Sequence, residues 1–245
     1  MGAVSTPPPA PLPRRLLAEL VGTGLLVTVV VGSGIAAQNL SPDDIGLQLL
    51  ENSLATALGL GVLIVWLGPI SGAHLNPVVS LADWFLGRRD RTGLSLPHVG
   101  AYAVAQVVGG IAGALLANAM FEVDQGLATQ DRVTSGHLVG EVVATAGLVA
   151  LVFALARTGR AALAAPAVGA YIGAAYWFTS STSFANPAVT LGRMFTDTFA
   201  GIAPGSVPAY VGLQLVGLAV GVALTLALYP DAQENADDIV IPRPS

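Results

Sequence analysis

The sequence predicts an all-α membrane protein, with six transmembrane helices and two re-entrant half-helices arranged as an inverted repeat. Three observations carry this. The chain of 245 residues is 53% hydrophobic and only 10% charged, whereas soluble domains hold about 25% charged residues, so lipid is its main solvent. Six apolar stretches reach the roughly 20 residues that a membrane helix needs, and two further stretches are about half as long. The second half of the chain also repeats the first.

Taken in order, residues 1–13 are Pro-rich and form a flexible lead-in. Arg14 and Arg15 precede the first span, about 15–37. That run is longer than the apolar part of a secretion signal and shows no cleavage site, so it is a retained span. Spans two and three fall at about 50–70 and 97–119, with the weakly polar stretch Asn76 to Leu86 between them. Spans four, five and six fall at about 137–157, 162–180 and 206–229, with a similar stretch, Asn186 to Asp197, between the last two. Each short stretch offers about ten helical residues, or about 15 Å, half of a hydrocarbon core about 30 Å thick. Neither crosses alone, but two entering from opposite faces cross together. The membrane domain therefore covers 14–230, with repeats at about 14–119 and 137–229, and an acidic, disordered tail at 231–245.

The chain has no lysine. With both termini cytoplasmic, Arg14, Arg15, Arg88, Arg89, Arg91, Arg157, Arg160 and Arg243 lie inside and only Arg132 and Arg193 outside. This is a strong positive-inside bias. The first half-span then enters from the cytoplasm and the second from outside.

The repeat shows in three matches that occur in order. Ala101-Tyr102 with Gln106 and Gly109 corresponds to Ala209-Tyr210 with Gln214 and Gly217. Asn76-Pro77-Val78-Val79-Ser80-Leu81 corresponds to Asn186-Pro187-Ala188-Val189-Thr190-Leu191, and Glu19 to Glu141. Because each copy holds three spans, the copies have opposite orientation in the membrane. Gly109-x-x-x-Gly113 and Gly217-x-x-x-Gly221 allow close helix approach, and Gln106 and Gln214 bond across helices.

Each Asn-Pro starts a helix. Asn is a preferred N-cap and Pro fits the first turn, where its missing N–H is not needed. The two half-helices meet by their N-termini near mid-membrane, each carrying about +0.5 of an elementary charge. Such a centre repels cations, while the Asn76 and Asn186 amides can donate hydrogen bonds to an uncharged solute. Taken singly, each motif is also compatible with an interrupted helix and a capping Asn.

Over nearly its whole length the chain resembles the aquaporin, or major intrinsic protein, family. Ser71-Gly72-Ala73-His74-Leu75-Asn76-Pro77-Val78 is similar to the family's first box, with Val78 in place of the usual Ala. Phe184-Ala185-Asn186-Pro187-Ala188 matches the second, and Glu19 and Glu141 match the glutamates that brace the re-entrant loops. The resemblance implies an aquaporin-like six-helix bundle with a pore in each subunit, a homotetramer, and passage of small neutral solutes through an inner (plasma) membrane.

One departure matters. Water- and glycerol-selective members normally carry Arg directly after the second Asn-Pro-Ala, and here that position is Val189. Counting from the boxes places the other filter positions at Thr56, Ala174 (or Gly173) and Ser183. The expected constriction is wide, weakly polar and without a fixed charge. This pattern resembles a bacterial branch associated with arsenic resistance, which implies passage of arsenous acid or methylated arsenicals. A general glycerol, urea and water facilitator is the alternative, and a structural junction protein with a closed pore is a third. Arg193 lies one turn past Val189, about 6 Å further outward at 1.5 Å per residue. That puts it in the outer vestibule, paired with Asp197 or extended to the headgroups.

Enzymatic and metal chemistry finds no residues. There is no cysteine, and His74, His98 and His137 are dispersed without a metal-binding spacing. His74 is expected to steady the first box. No nucleophile with a base can be assembled, no cofactor motif occurs, and no basic stripe suits nucleic acid.

Overall fold

The computed structural model describes residues 10–88 and 92–230. Most of the expected lead-in, Arg89, Arg91 and the tail at 231–245 with Arg243 lie outside the described residues. Six helices are long and apolar enough to cross a membrane. They are α1 (Leu12–Leu40), α2 (Ile45–Ser71), α4 (Leu96–Met120), α5 (Ser135–Arg157), α6 (Ala164–Phe178, led by a 3-10 turn at Ala161–Leu163) and α8 (Val207–Leu228). The half-helices are α3 (Pro77–Gly87) and α7 (Pro187–Gly192).

Helix ends follow from local chemistry. α1 starts two residues earlier than the lead-in allows, because Pro13 sits in its first turn. Asp44 caps α2 by accepting from the Leu47 N–H, and Thr134 caps α5 by accepting from His137. α2 ends at Gly72, whose φ of 88° is the left-handed conformation that glycine adopts without penalty. α7 departs from expectation. It holds six α-helical residues and passes into a 3-10 turn at Arg193–Phe195, so the expected helix to Asp197 stops short. There the loop at 196–203 folds back, with Ile202 N–H donating to Arg193 O.

The inverted repeat sets the packing. α1 packs most extensively on α4, and α5, its counterpart, on α8. Both contacts depend on the paired glycines. A Cβ on Gly113 would collide with the Gly24 carbonyl, and one on Gly221 would lie 2.7 Å from Ala146 O. Small residues allow this backbone approach, which drives helix association where lipid removes the hydrophobic incentive. The buried apolar core runs through the bundle centre and includes Val27, Val31, Leu75, Val78, Val149 and Ala185.

Candidate functional site

The two box loops run through strained backbone. Ala73 and Leu75 have φ of 45° and 48°, and Thr182, Ser183 and Ala185 have 61°, 53° and 47°. Non-glycine residues in this region cost of order 1–3 kcal/mol each and persist only when their surroundings hold them. Glu19 does so in the first loop. It is fully buried and accepts from His74 N–H (3.0 Å), Leu75 N–H (2.7 Å), the Ser71 hydroxyl (2.6 Å) and Gln106 Nε2 (2.7 Å). Glu141 repeats the device, accepting from Phe184 and Ala185 N–H (both 2.9 Å) and from Gln214 Nε2 (2.7 Å). Thus both glutamates occupy bracing positions. His74 adds to the first loop through Nδ1, 3.0 Å from Ser80 Oγ, and packs edge-on to Tyr102.

Between the loops the asparagines form a reciprocal clasp. Asn76 Nδ2 donates to Ala185 O at 2.8 Å, and Asn186 Nδ2 donates to Leu75 O at 2.7 Å. Their Oδ1 atoms cap the half-helices, Asn76 accepting from Val78 N–H and Asn186 from Ala188 and Val189 N–H. An amide nitrogen carries two hydrogens, so one holds the clasp and one remains. Both asparagines line a cavity of about 70 Å³ inside the bundle. Pro77 and Pro187 occupy first-turn positions, and Val78 and Ala188 are buried behind the tips.

The cavity wall is apolar for most of its length, with Leu60 and Ile64 from α2 and Val168 and Ile172 from α6. Polarity gathers where α2, α6 and the second box loop approach each other. Thr56 Oγ1 lies 3.1 Å from Tyr176 Oη. Ser183 lines the same cavity, and its buried Oγ has no partner among the described residues. Phe184 and Val189 complete this wall.

Of the four expected filter residues, Thr56, Ser183 and Val189 line the cavity and Ala174 does not. Ala174 is exposed on the outer surface of α6, and a Cβ on Gly173 would meet Ala57 of α2. Tyr176, two residues further on, lines the cavity. Counting from the boxes missed it because two residues turn a helix by about 200°, from one face to the opposite one. The signal was present: Val168, Ile172 and Tyr176 recur at four-residue spacing.

Arg193 is also placed differently from expectation. It is buried, it lines the cavity, and it does not pair with Asp197, which accepts from the Thr129 N–H and hydroxyl. Its Nε donates to Ala200 O, and its guanidinium lies 3.5 Å from the centre of the Phe184 ring. The expected fixed-charge-free wall therefore contains a cation. Arg132, not singled out in the sequence, sits close by. Its Nε donates to Gly201 O and its Nη2 to Phe199 O and Gln130, tying the 121–134 loop over the second half-helix. Beside it, hydrogen bonds from the Ser206 hydroxyl and Val133 N–H hold the Asp131 carboxyl below the usual carboxylate range. Among the described residues no cluster of His, Cys, Asp or Glu could hold a metal ion.

Six spans, two half-helices clasped tip to tip and a cavity running past them define a polytopic membrane channel. A family model for the major intrinsic proteins matches residues 9–183, and the chain belongs to that family, one of channels and not of enzymes. It is 49% identical over 214 residues to the aquaglyceroporin AqpS of Rhizobium meliloti, covering 87% of this chain and 89% of that one. It is 34% identical over 205 residues to a probable TIP-type aquaporin of Medicago truncatula, covering 78% and 79%. The fold matches the X-ray structure of the aquaglyceroporin from Plasmodium falciparum with TM-score 0.63 at 19% identity, over 90% of this chain and 96% of that one.

Proposed function

We propose that the chain is a passive channel for small uncharged solutes, passing water and glycerol together with arsenous acid or related arsenicals. The observation that supports this best is the pair of asparagine amides at the clasp. Each keeps a second N–H for the cavity, and a row of apolar side chains flanks them. A neutral polyhydroxyl molecule satisfies such donors one after another while it sheds water, whereas an ion would lose far more hydration energy than they return. Arsenous acid has three hydroxyls on a neutral centre, much like a short polyol. The small Val189, where an arginine is usual in the family, favours a solute larger than water. The general glycerol and water facilitator is the second reading, favoured by the 49% identity to a protein named an aquaglyceroporin. The channel acts as a homotetramer in the inner (plasma) membrane, with both termini cytoplasmic.

Stopped-flow light scattering on proteoliposomes with water, glycerol, urea and arsenous acid separates these readings. Arsenous acid flux at least comparable to glycerol flux is expected. Glycerol and water flux without arsenous acid flux returns the chain to the general facilitator, and no flux of any solute overturns the channel reading.

A further inference from the structure

We propose that Arg193 is the specificity-determining cation of this channel: a filter arginine displaced by one helical turn, whose side chain reaches back over Val189 into the lumen. This deepens the channel reading above and rests on it. The first argument is geometric. Helical side chains lean toward the N-terminus of their helix, so a surface spot is covered by a residue further along the chain. An arginine side chain spans about one helical pitch, 5.4 Å. Placed four residues after Val189, it delivers its guanidinium back toward the level of the box loop and not outward. The contacts agree, because the guanidinium lies 3.5 Å from the Phe184 ring centre, and Phe184 is two residues before the clasp asparagine.

The second argument is electrostatic. Arg193 is only 3% exposed and has no carboxylate partner among the described residues. A buried, unpaired charge is strongly unfavourable unless something solvates it. Of its five N–H donors, the protein takes Nε–H through Ala200 O. The Nη groups make no protein hydrogen bond among the described residues, and Arg193 lines the cavity. Its fork is therefore satisfied by what occupies the lumen. Arg132 makes the contrast. It is also buried, but three acceptors engage its guanidinium, and it is absent from the cavity wall.

The same cavity is lined by the Thr56–Tyr176 hydroxyl pair. A solute in it meets both a donor fork and hydroxyls. Neutral molecules with several hydroxyls fit that arrangement, and cations are repelled. Val189 stays small, and the cation absent at that position comes from one turn further along the chain.

The test compares wild type with Arg193→Ala, Arg193→Lys and the exchange Val189→Arg with Arg193→Val, reading ribitol, glycerol and water flux in proteoliposomes. Arg193→Ala should raise the ribitol-to-water ratio at least about fivefold and admit a sodium leak. The exchange, which moves the guanidinium back by one turn, should restore a ratio within about twofold of wild type. Arg193→Lys keeps a charge but loses the planar fork and should give an intermediate ratio, which decides the matter if the alanine variant does not assemble. Ratios within twofold of wild type in every assembled single variant, with wild type conducting, overturn the inference and leave the channel reading intact. A wild type that conducts nothing overturns both.

Discussion

In the first re-entrant loop, Glu19 holds the His74 and Leu75 amides, Gln106 reaches that carboxylate and Ser80, and Asn76 crosses to the opposite loop. In the second, Glu141 holds Phe184 and Ala185, Gln214 reaches it and Thr190, and Asn186 crosses back. The bracing is the same part used twice. The differences lie at other positions. His74 has Phe184 as its counterpart, and Asp83 has Arg193. Asp83 accepts from Leu94 N–H at 2.7 Å and pins the connection after α3. Arg193 donates to Ala200 O and pins the connection after α7. The same register thus carries opposite charge, and only the cation lines the cavity. What the halves share builds the frame, and what they do not share gives one end of the channel its chemistry.

The largest expected effect comes from breaking that shared frame. Glu19→Ala and Glu141→Ala each strand two loop amides and a glutamine. At about 1–3 kcal/mol for each unpaired buried donor, both should cost at least about 3 kcal/mol. Thermal melting of the detergent-solubilised protein measures this, and a large difference between the variants would mean that the braces are not equivalent. A sharper asymmetry is expected at the clasp. Asn186 caps two N–H groups and Asn76 one. Losing such a cap costs about 0.5–2 kcal/mol, so Asn186→Ala should melt at a lower temperature than Asn76→Ala. Glycerol flux should fall several-fold in both.

At the polar end of the cavity, Tyr176→Phe removes the hydroxyl that meets Thr56. It should cost about 1 kcal/mol and lower the glycerol-to-water flux ratio about two- to threefold. Ala174→Ser on the outer face of the same helix should change neither; an effect there as large as at Tyr176 would restore Ala174 to the filter. The smallest effect belongs to Asp131, whose carboxyl is held below its ordinary 3.8 by Ser206 and Val133. A depressed folded value stabilises above the unfolded one and is lost as pH falls through the folded one. Asp131→Asn should therefore lower the melting temperature slightly at pH 6 and not at all near pH 2, while a loss that persists at pH 2 would point to packing instead of charge.

The six spans, the two half-helix starts, the paired asparagines and the paired glutamates are legible in the residues alone. Each is local or repeated: about 20 apolar residues fix a span, Asn-Pro fixes a helix start, and repetition shows that both starts matter. The bracing role of Glu19 and Glu141 was legible from the resemblance to the family and from their matched places in the repeat, and it agrees with the constraint that backbone polar groups in lipid be satisfied within the protein. Packing in three dimensions settled what depends on direction. It turned Ala174 out and Tyr176 in, because facing is an angle that a count from the box does not fix. It ended α7 after six residues, because the 196–203 loop returns to Arg193. It also sent Arg193 back into the cavity and not out to the headgroups, because Ala200 O and the Phe184 ring, both supplied by loops, hold the guanidinium there.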